Sequence, residues 1–207
     1  MENNLILEEI IKQNKHWANN TSWFDTKKYQ RKLLSELISY IEEEQILSIV
    51  GLRRTGKTTI LWQIIQHLIK NKNINSKNIL FLSFDEALIT SKLSLNKYLD
   101  AFLDKTKNNE LKYIFLDEIQ YIDKWQHILK RYYDTIGNIK FIISGSSSLF
   151  VRKKTTESLA GRIYEFKLNH LDFDEFLDTN IFHFIKKIKK RLISCVTMKS
   201  LTKINQN

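Results

Sequence analysis

Proline is absent from the sequence, and cysteine occurs once, at Cys195. A lone cysteine forms no intrachain disulfide and supplies no thiolate-rich zinc site, which fits a reducing compartment, so the expected location is cytoplasmic. No uninterrupted apolar run exceeds four residues, whereas a membrane-spanning helix needs about 20 and the core of a signal peptide about 7 to 15. The sequence therefore predicts neither a transmembrane segment nor a secretory leader. Only five glycines occur, at positions 51, 56, 137, 145 and 161, and with so few, each is expected to mark a point where the backbone needs freedom. What is present is ordinary globular composition: 207 residues, 43% hydrophobic, 12% aromatic and 27% charged. That is enough apolar material for a core and excludes disorder over most of the chain.

The formal charge of +10 is unevenly placed. From His183 onward there are seven basic residues and no acidic ones, which leaves +3 for residues 1–182. The high isoelectric point is thus a property of the tail and not of the folded body.

Hydrophobic periodicity divides the chain into a helical flank, an alternating core and a tail. Over 1–44 the pattern is helical and polar, with Leu33, Leu34, Leu37, Ile38 and Ile41 on one stripe. Short β-rich runs follow at Ile46–Val50, Ile79–Phe84, Tyr113–Leu116, Ile139–Ser144 and Ile163–Leu168, separated by helix-length stretches near 57–71, 94–107 and 123–136. This alternation predicts βαβ units and a parallel sheet covered on both faces.

Immediately after the first predicted strand stands Gly51-Leu52-Arg53-Arg54-Thr55-Gly56-Lys57-Thr58, followed by Thr59, which fits G-x-x-x-x-G-K-[ST] at every fixed position. Glycines at those places let successive backbone N–H groups point at phosphate oxygens, and the next helix presents its positive end to the same charge. Lys57 is expected to reach the β- and γ-phosphates and Thr58 to ligate Mg²⁺. Arg53 and Arg54 occupy variable positions; they suit phosphate contact, a partner, or plain solvation, and carry no catalytic role. Downstream, Tyr113-Ile114-Phe115-Leu116-Asp117-Glu118 delivers two carboxylates at a strand's carboxyl end, the edge at which open α/β sheets bind ligands. Asp117 is expected to hold Mg²⁺ and Glu118 to orient and deprotonate a water attacking the γ-phosphate. Between Lys57 and Asp117 lies one further strand, which describes the ATPases that carry an additional strand and a catalytic glutamate. No N-K-x-D guanine-reading string occurs, since Asn96-Lys97-Tyr98-Leu99-Asp100 has one residue too many; ATP is favoured over GTP. At the end of the fourth predicted strand, Ser144 or Ser146 is positioned to sense the γ-phosphate or the attacking water, or else the serines cap the next helix.

These stretches, with Phe115-Leu116-Asp117-Glu118-Ile119-Gln120-Tyr121, Trp125, Ile143-Ser144-Gly145-Ser146-Ser147-Ser148, Ser158-Leu159-Ala160-Gly161-Arg162 and Leu171-Asp172-Phe173-Asp174-Glu175-Phe176-Leu177, resemble the prokaryotic AAA-type ATPases of the archaeal ATPase group and its bacterial relatives, a branch of the AAA+ superfamily. A proline usual near the start of the last stretch is missing. The resemblance implies a P-loop NTPase α/β fold, a three-layer sandwich with a five-stranded parallel sheet of order 5-1-4-3-2 and an ATPase core over 45–178. It also implies ATP and Mg²⁺ as ligands and Arg162 as an arginine finger. A finger serving a neighbour makes a homo-oligomer, or another protein partner, the expected context.

Relatives continue into a helical lid and a further domain, while 29 residues follow Asp178 here, too few for both. That leaves two readings: an ATPase using Mg-dependent hydrolysis as a conformational or assembly switch, or a nucleotide-binding interaction module with little turnover. A small-molecule kinase is disfavoured by Glu118 beside Asp117. In the tail, 179–207, Ile181, Phe184, Ile185, Ile188 and Leu192 share one helical stripe among Lys186, Lys187, Lys189, Lys190 and Arg191. Such a helix suits nucleic acid, an acidic membrane face or a protein partner, and equally a helix docked on the core with solvated lysines.

Overall fold

Four stretches of the chain are buried at every position: Ile46–Val50, Ile79–Ser83, Lys112–Asp117 and Ile139–Gly145. Continuous burial of this kind belongs to parallel strands covered on both faces. In the computed structural model, which describes residues 2–18, 29–85, 94–146 and 158–177, they are β1 to β4. Ile163–Lys167 forms β5, a half-exposed edge strand. All pairings are parallel and the order is β2-β3-β4-β1-β5, the P-loop NTPase arrangement that the resemblance implies.

Alternating side chains of the same strands feed two separate cores. On one face Leu47, Ile49, Phe81, Phe115 and Ile142 meet α2 (Leu33–Ser39) and α3 (Lys57–Lys70) through Leu34, Leu37, Ile60, Leu61 and Ile64. On the other, Leu80, Leu82, Ile114, Leu116, Phe141 and Ile143 meet α1 (Glu2–Gln13), α4 (Leu95–Lys105) and α5 (Trp125–Thr135). The result is helix, sheet, helix. Among the described residues, no helix is long and apolar enough to cross a membrane.

The amino-terminal flank has a structural task that its periodicity does not disclose. Ile6 and Ile10 of α1 are fully buried, and the last residue of the helix with those just after it seals the outer edge of β2. Asn14 donates Nδ2 to Phe81 O at 2.9 Å and accepts from Phe81 N at 2.6 Å. Gln13 Oε1 accepts from Ser83 N at 2.8 Å, and Trp17 Nε1 donates to Ile79 O at 2.7 Å. The backbone groups that an edge strand leaves open are thus met by side chains. His16 lies beside Ile79 O at 3.0 Å, and burial pulls its imidazole down to about 4. Asn14→Ala strands two buried backbone groups at once. It should lower stability by about 2 to 4 kcal/mol, read from denaturant melts; a loss under about 0.5 kcal/mol would show that water replaces the amide.

The chain divides into two compact units, Met1–His170 and Leu171–Asn207. In the second, a helical turn over 173–177 opens with a reciprocal cap: Asp172 Oδ1 accepts from Glu175 N at 2.7 Å and Glu175 Oε2 from Asp172 N at 3.3 Å. The basic helix read over the tail, Cys195, and Ser147 and Ser148 lie outside the described residues.

Candidate functional site

The loop between β1 and α3 takes its shape from its glycines. A Cβ on Gly51 would lie 2.4 Å from the carbonyl oxygen of Leu168, so only glycine lets the start of the loop pass under the exit of β5. Gly56 has φ +99° and forms the amino-terminal cap of α3, a conformation that costs other residues about 1 kcal/mol or more. Within the loop, Thr55 Oγ1 donates to Leu52 O at 2.9 Å. The first turn of α3 carries no acidic side chain, so its positive end is not neutralised locally.

Lys57 begins α3 and is buried. Its ammonium donates to Gly51 O at 3.3 Å and Leu52 O at 3.2 Å and sits 3.6 Å from Glu118 Oε1. A phosphate in the loop would offer the same ammonium a charged acceptor in place of two neutral ones.

The acidic pair reaches the loop because β3 lies next to β4, and β4 next to β1. Thr58 Oγ1 donates to Asp117 Oδ2 at 2.7 Å. Ser144 Oγ donates to Asp117 Oδ1 and accepts from Glu118 N at 3.4 Å. Burial pushes the Asp117 carboxyl above its usual range; the hydrogen bonds from Ser144 and Thr58 oppose this, the charge of Glu118 adds to it, and that of Lys57 opposes it. A hydroxyl and a carboxylate held together form a hard-oxygen pair of the kind that suits Mg²⁺, which takes one or two protein oxygens and draws its remaining ligands from phosphate and water. Among the described residues no cluster of three or more His, Cys, Asp or Glu is placed to hold a metal.

Glu118 leaves the strand in the left-handed region, φ 54° and ψ 42°, a backbone strain of about 1 kcal/mol or more that is common at functional sites. The chain then winds one 3-10 turn, Ile119–Tyr121, which brings Gln120 back onto Glu118. Gln120 Nε2 donates to Glu118 Oε2 at 2.5 Å, and its Oε1 accepts from Ser146 N at 3.3 Å. One side-chain amide thus ties the carboxylate at the end of β3 to the backbone after β4.

Of these groups Lys57, Glu118, Gln120 and Ser146, together with Arg53, Asp85 and Tyr121, line a cleft of about 150 Å³. Whole-ligand pockets run to about 300–1,000 Å³, so the volume suits the phosphate end of a nucleotide. The structure therefore brings together Gly51, Gly56, Lys57, Thr58, Asp117, Glu118, Ser144 and Ser146. Leu52, Arg53 and Arg54 are all exposed; of the three Arg53 lines the cleft, and Arg54 has a left-handed backbone at φ 67°. Thr59 follows Thr58 into α3.

Arg162 is elsewhere. It precedes β5 and its carbonyl accepts from Ile46 N at 2.8 Å, which puts it at the sheet edge opposite the loop. Its Nε donates to Asp134 Oδ1 at 2.8 Å. Of the acidic residues near it in sequence, Glu165 is not its partner, and Glu157 lies outside the described residues. Sequence reasoning missed Asp85, Gln120 and Tyr121 as residues lining the cleft. The rule that ligands gather at strand carboxyl ends points to Asp85, since it follows β2.

The AAA domain family matches residues 43–177. An uncharacterized protein of Methanocaldococcus jannaschii, MJ1544, is 32% identical over 210 residues, covering 100% of this chain and 42% of the relative. An uncharacterized protein of Haemophilus influenzae is 30% identical over 145 residues, 70% of this chain and 36% of the relative. The chain spans less than half the length of these curated relatives. Among solved structures, the S. cerevisiae Hsp104–ADP complex is similar in fold, with TM-score 0.51, 18% identity and coverage of 69% of this chain and 23% of that one. C. elegans PCH-2 gives TM-score 0.48, 16% identity and coverage of 81% and 46%. With a phosphate loop, an acidic strand end and a five-stranded parallel sheet beside the family match over residues 43–177, the chain belongs to the AAA domain family and carries the nucleotide-binding core of a P-loop NTPase.

Proposed function

We propose that the protein binds ATP with Mg²⁺ and hydrolyses it, using the cycle to switch conformation or assembly. The observation that supports this most is that Lys57 and Glu118, 3.6 Å apart, line one cleft while their chain neighbours Thr58 and Asp117 are hydrogen-bonded to each other, because phosphoryl transfer asks for a phosphate cradle, a metal-holding oxygen pair and a base in one place. In this reading Lys57 and the backbone of Gly51 to Thr59 hold the β- and γ-phosphates. Thr58 and Asp117 would hold Mg²⁺, which when bound neutralises charge on the phosphates. Glu118, steadied by Gln120, orients and deprotonates the attacking water; Ser144 fixes Asp117, and Ser146, which lines the cleft, would sense the γ-phosphate. Arg162 serves a neighbouring subunit. The ATPase core runs over 45–178, between the flank 1–44 and the tail 179–207, and the choice of ATP rests on the absence of a guanine-reading motif.

The second reading, an interaction module that binds nucleotide with little turnover, is favoured by one feature: Glu118 is already engaged by Lys57 and Gln120. Turnover measured with binding intact separates the two. The binding half of the proposal is tested by Lys57→Ala. Loss of a charged donor to phosphate should weaken Mg·ATP binding about 10- to 100-fold by calorimetry, and parental affinity in that variant would overturn the assignment of the loop.

A further inference from the structure

Arg31 lies outside every motif of the site, yet its guanidinium is fastened to the phosphate loop. It stands at the start of α2, where Leu34 N donates to its carbonyl at 2.9 Å, and α2 is anchored in the core by Leu34 and Leu37. From there Nη1 donates to Thr55 O at 2.7 Å and Nη2 to Asn169 O at 2.9 Å. The two acceptors belong to different segments, the phosphate loop and the exit of β5. Those segments also touch directly: Leu168 N donates to Val50 O at 2.7 Å, and Leu168 O closes over Gly51.

We propose that Arg31 is a positioning residue for nucleotide binding, a two-armed clamp that fixes the Thr55–Gly56 peptide of the phosphate loop against the exit of β5. A trans peptide is planar, with its C=O and N–H pointing opposite ways. Holding the Thr55 carbonyl outward therefore turns the Gly56 N–H inward, to the side where phosphate oxygens would sit. The fixing matters at Gly56 because a glycine, here at φ +99°, has more conformations to lose than a residue with a side chain. The guanidinium also adds a positive charge behind the cradle. Because its planar fork spans two acceptors, a lysine replaces the charge but not the bridge.

The inference rests on reading the loop as a triphosphate site, and the test separates the two. Mg·ATP is titrated into parent, Arg31→Ala and Arg31→Lys by calorimetry, with steady-state hydrolysis alongside. Arg31→Ala should raise Kd and KM about tenfold while kcat falls less than threefold, and Arg31→Lys should recover part of the loss. Hydrogen exchange in Arg31→Ala should quicken together in peptides covering 50–56 and 168–170, and not in β2 or β3. A parent that binds no Mg·ATP overturns the reading of the loop. A parent that binds, with Arg31→Ala binding equally well, overturns the clamp alone, as does a loss confined to kcat. If Arg31→Ala does not fold, a folded Arg31→Lys with parental affinity overturns it too. Failure of both variants to fold would make Arg31 a determinant of the whole fold and also overturn the proposal.

Discussion

Glu118→Gln should bind Mg·ATP at least as tightly as the parent and lose about 10²- to 10⁴-fold in hydrolysis, the scale of removing a general base. Two contacts set up this split. The substitution keeps size and hydrogen-bonding reach, so Gln120, 2.5 Å from the Glu118 carboxylate, still has an oxygen to hold and the 3-10 turn has no reason to move. It also removes the negative charge 3.6 Å from Lys57, which frees the ammonium for phosphate and takes away an anion beside the incoming γ-phosphate. Binding energy and chemistry therefore move in opposite directions, which loss of fold does not mimic. Single-turnover hydrolysis with binding measured in parallel is the check. If the variant hydrolyses at the parental rate, the base is not Glu118, and the interaction-module reading gains.

Legibility in the sequence followed locality. The loop from Gly51 to Thr58 and the strand ending in Asp117 were readable because both motifs are contiguous and depend on a local strand-to-helix turn. The sheet order came only with the family resemblance those motifs carry; counting one strand between them placed Asp117 at the end of the third strand and went no further. What escaped was held by side chains reaching across the sheet. Asn14 and Gln13 looked like the polar side of a surface helix, yet they complete an edge strand 67 and 70 positions away. Lys140 interrupts the apolar run of β4, and nothing in the sequence names its partners. It is buried, donates to the carbonyls of Tyr40 at 3.1 Å, Glu43, and Gln45 at 2.6 Å, and is pulled down to about 8 by desolvation. Gln120 was in plain text beside Glu118, but a left-handed residue and a 3-10 turn were needed to fold it back. Nothing in the string Asp-Glu-Ile-Gln specifies a left-handed glutamate.

Arg162→Ala should leave ATP affinity nearly intact and, if the arginine completes a neighbour's site, cost about 10³- to 10⁵-fold in rate. Geometry excludes its own site. β1 runs five residues from the level of Arg162 to the loop, about 17 Å at strand rise, more than one side chain spans. In the single chain the guanidinium rests on Asp134 at 2.8 Å, with the two side chains 34% and 37% exposed. A surface pair of this kind contributes about 0 to 1 kcal/mol, while a rate factor of 10³ to 10⁵ corresponds to about 4 to 7 kcal/mol, so a neighbour's γ-phosphate outbids the carboxylate easily. Asp134→Ala should then not slow hydrolysis, and the specific activity of the parent should rise with protein concentration as subunits meet. The decisive measurement mixes Arg162→Ala with Glu118→Gln, each inactive alone. At one kind of shared interface the first supplies an intact glutamate and the second an intact arginine, so part of the activity should return. Activity strictly proportional to enzyme concentration, with an inactive mixture, would leave Arg162 as the edge-strand ion pair with Asp134.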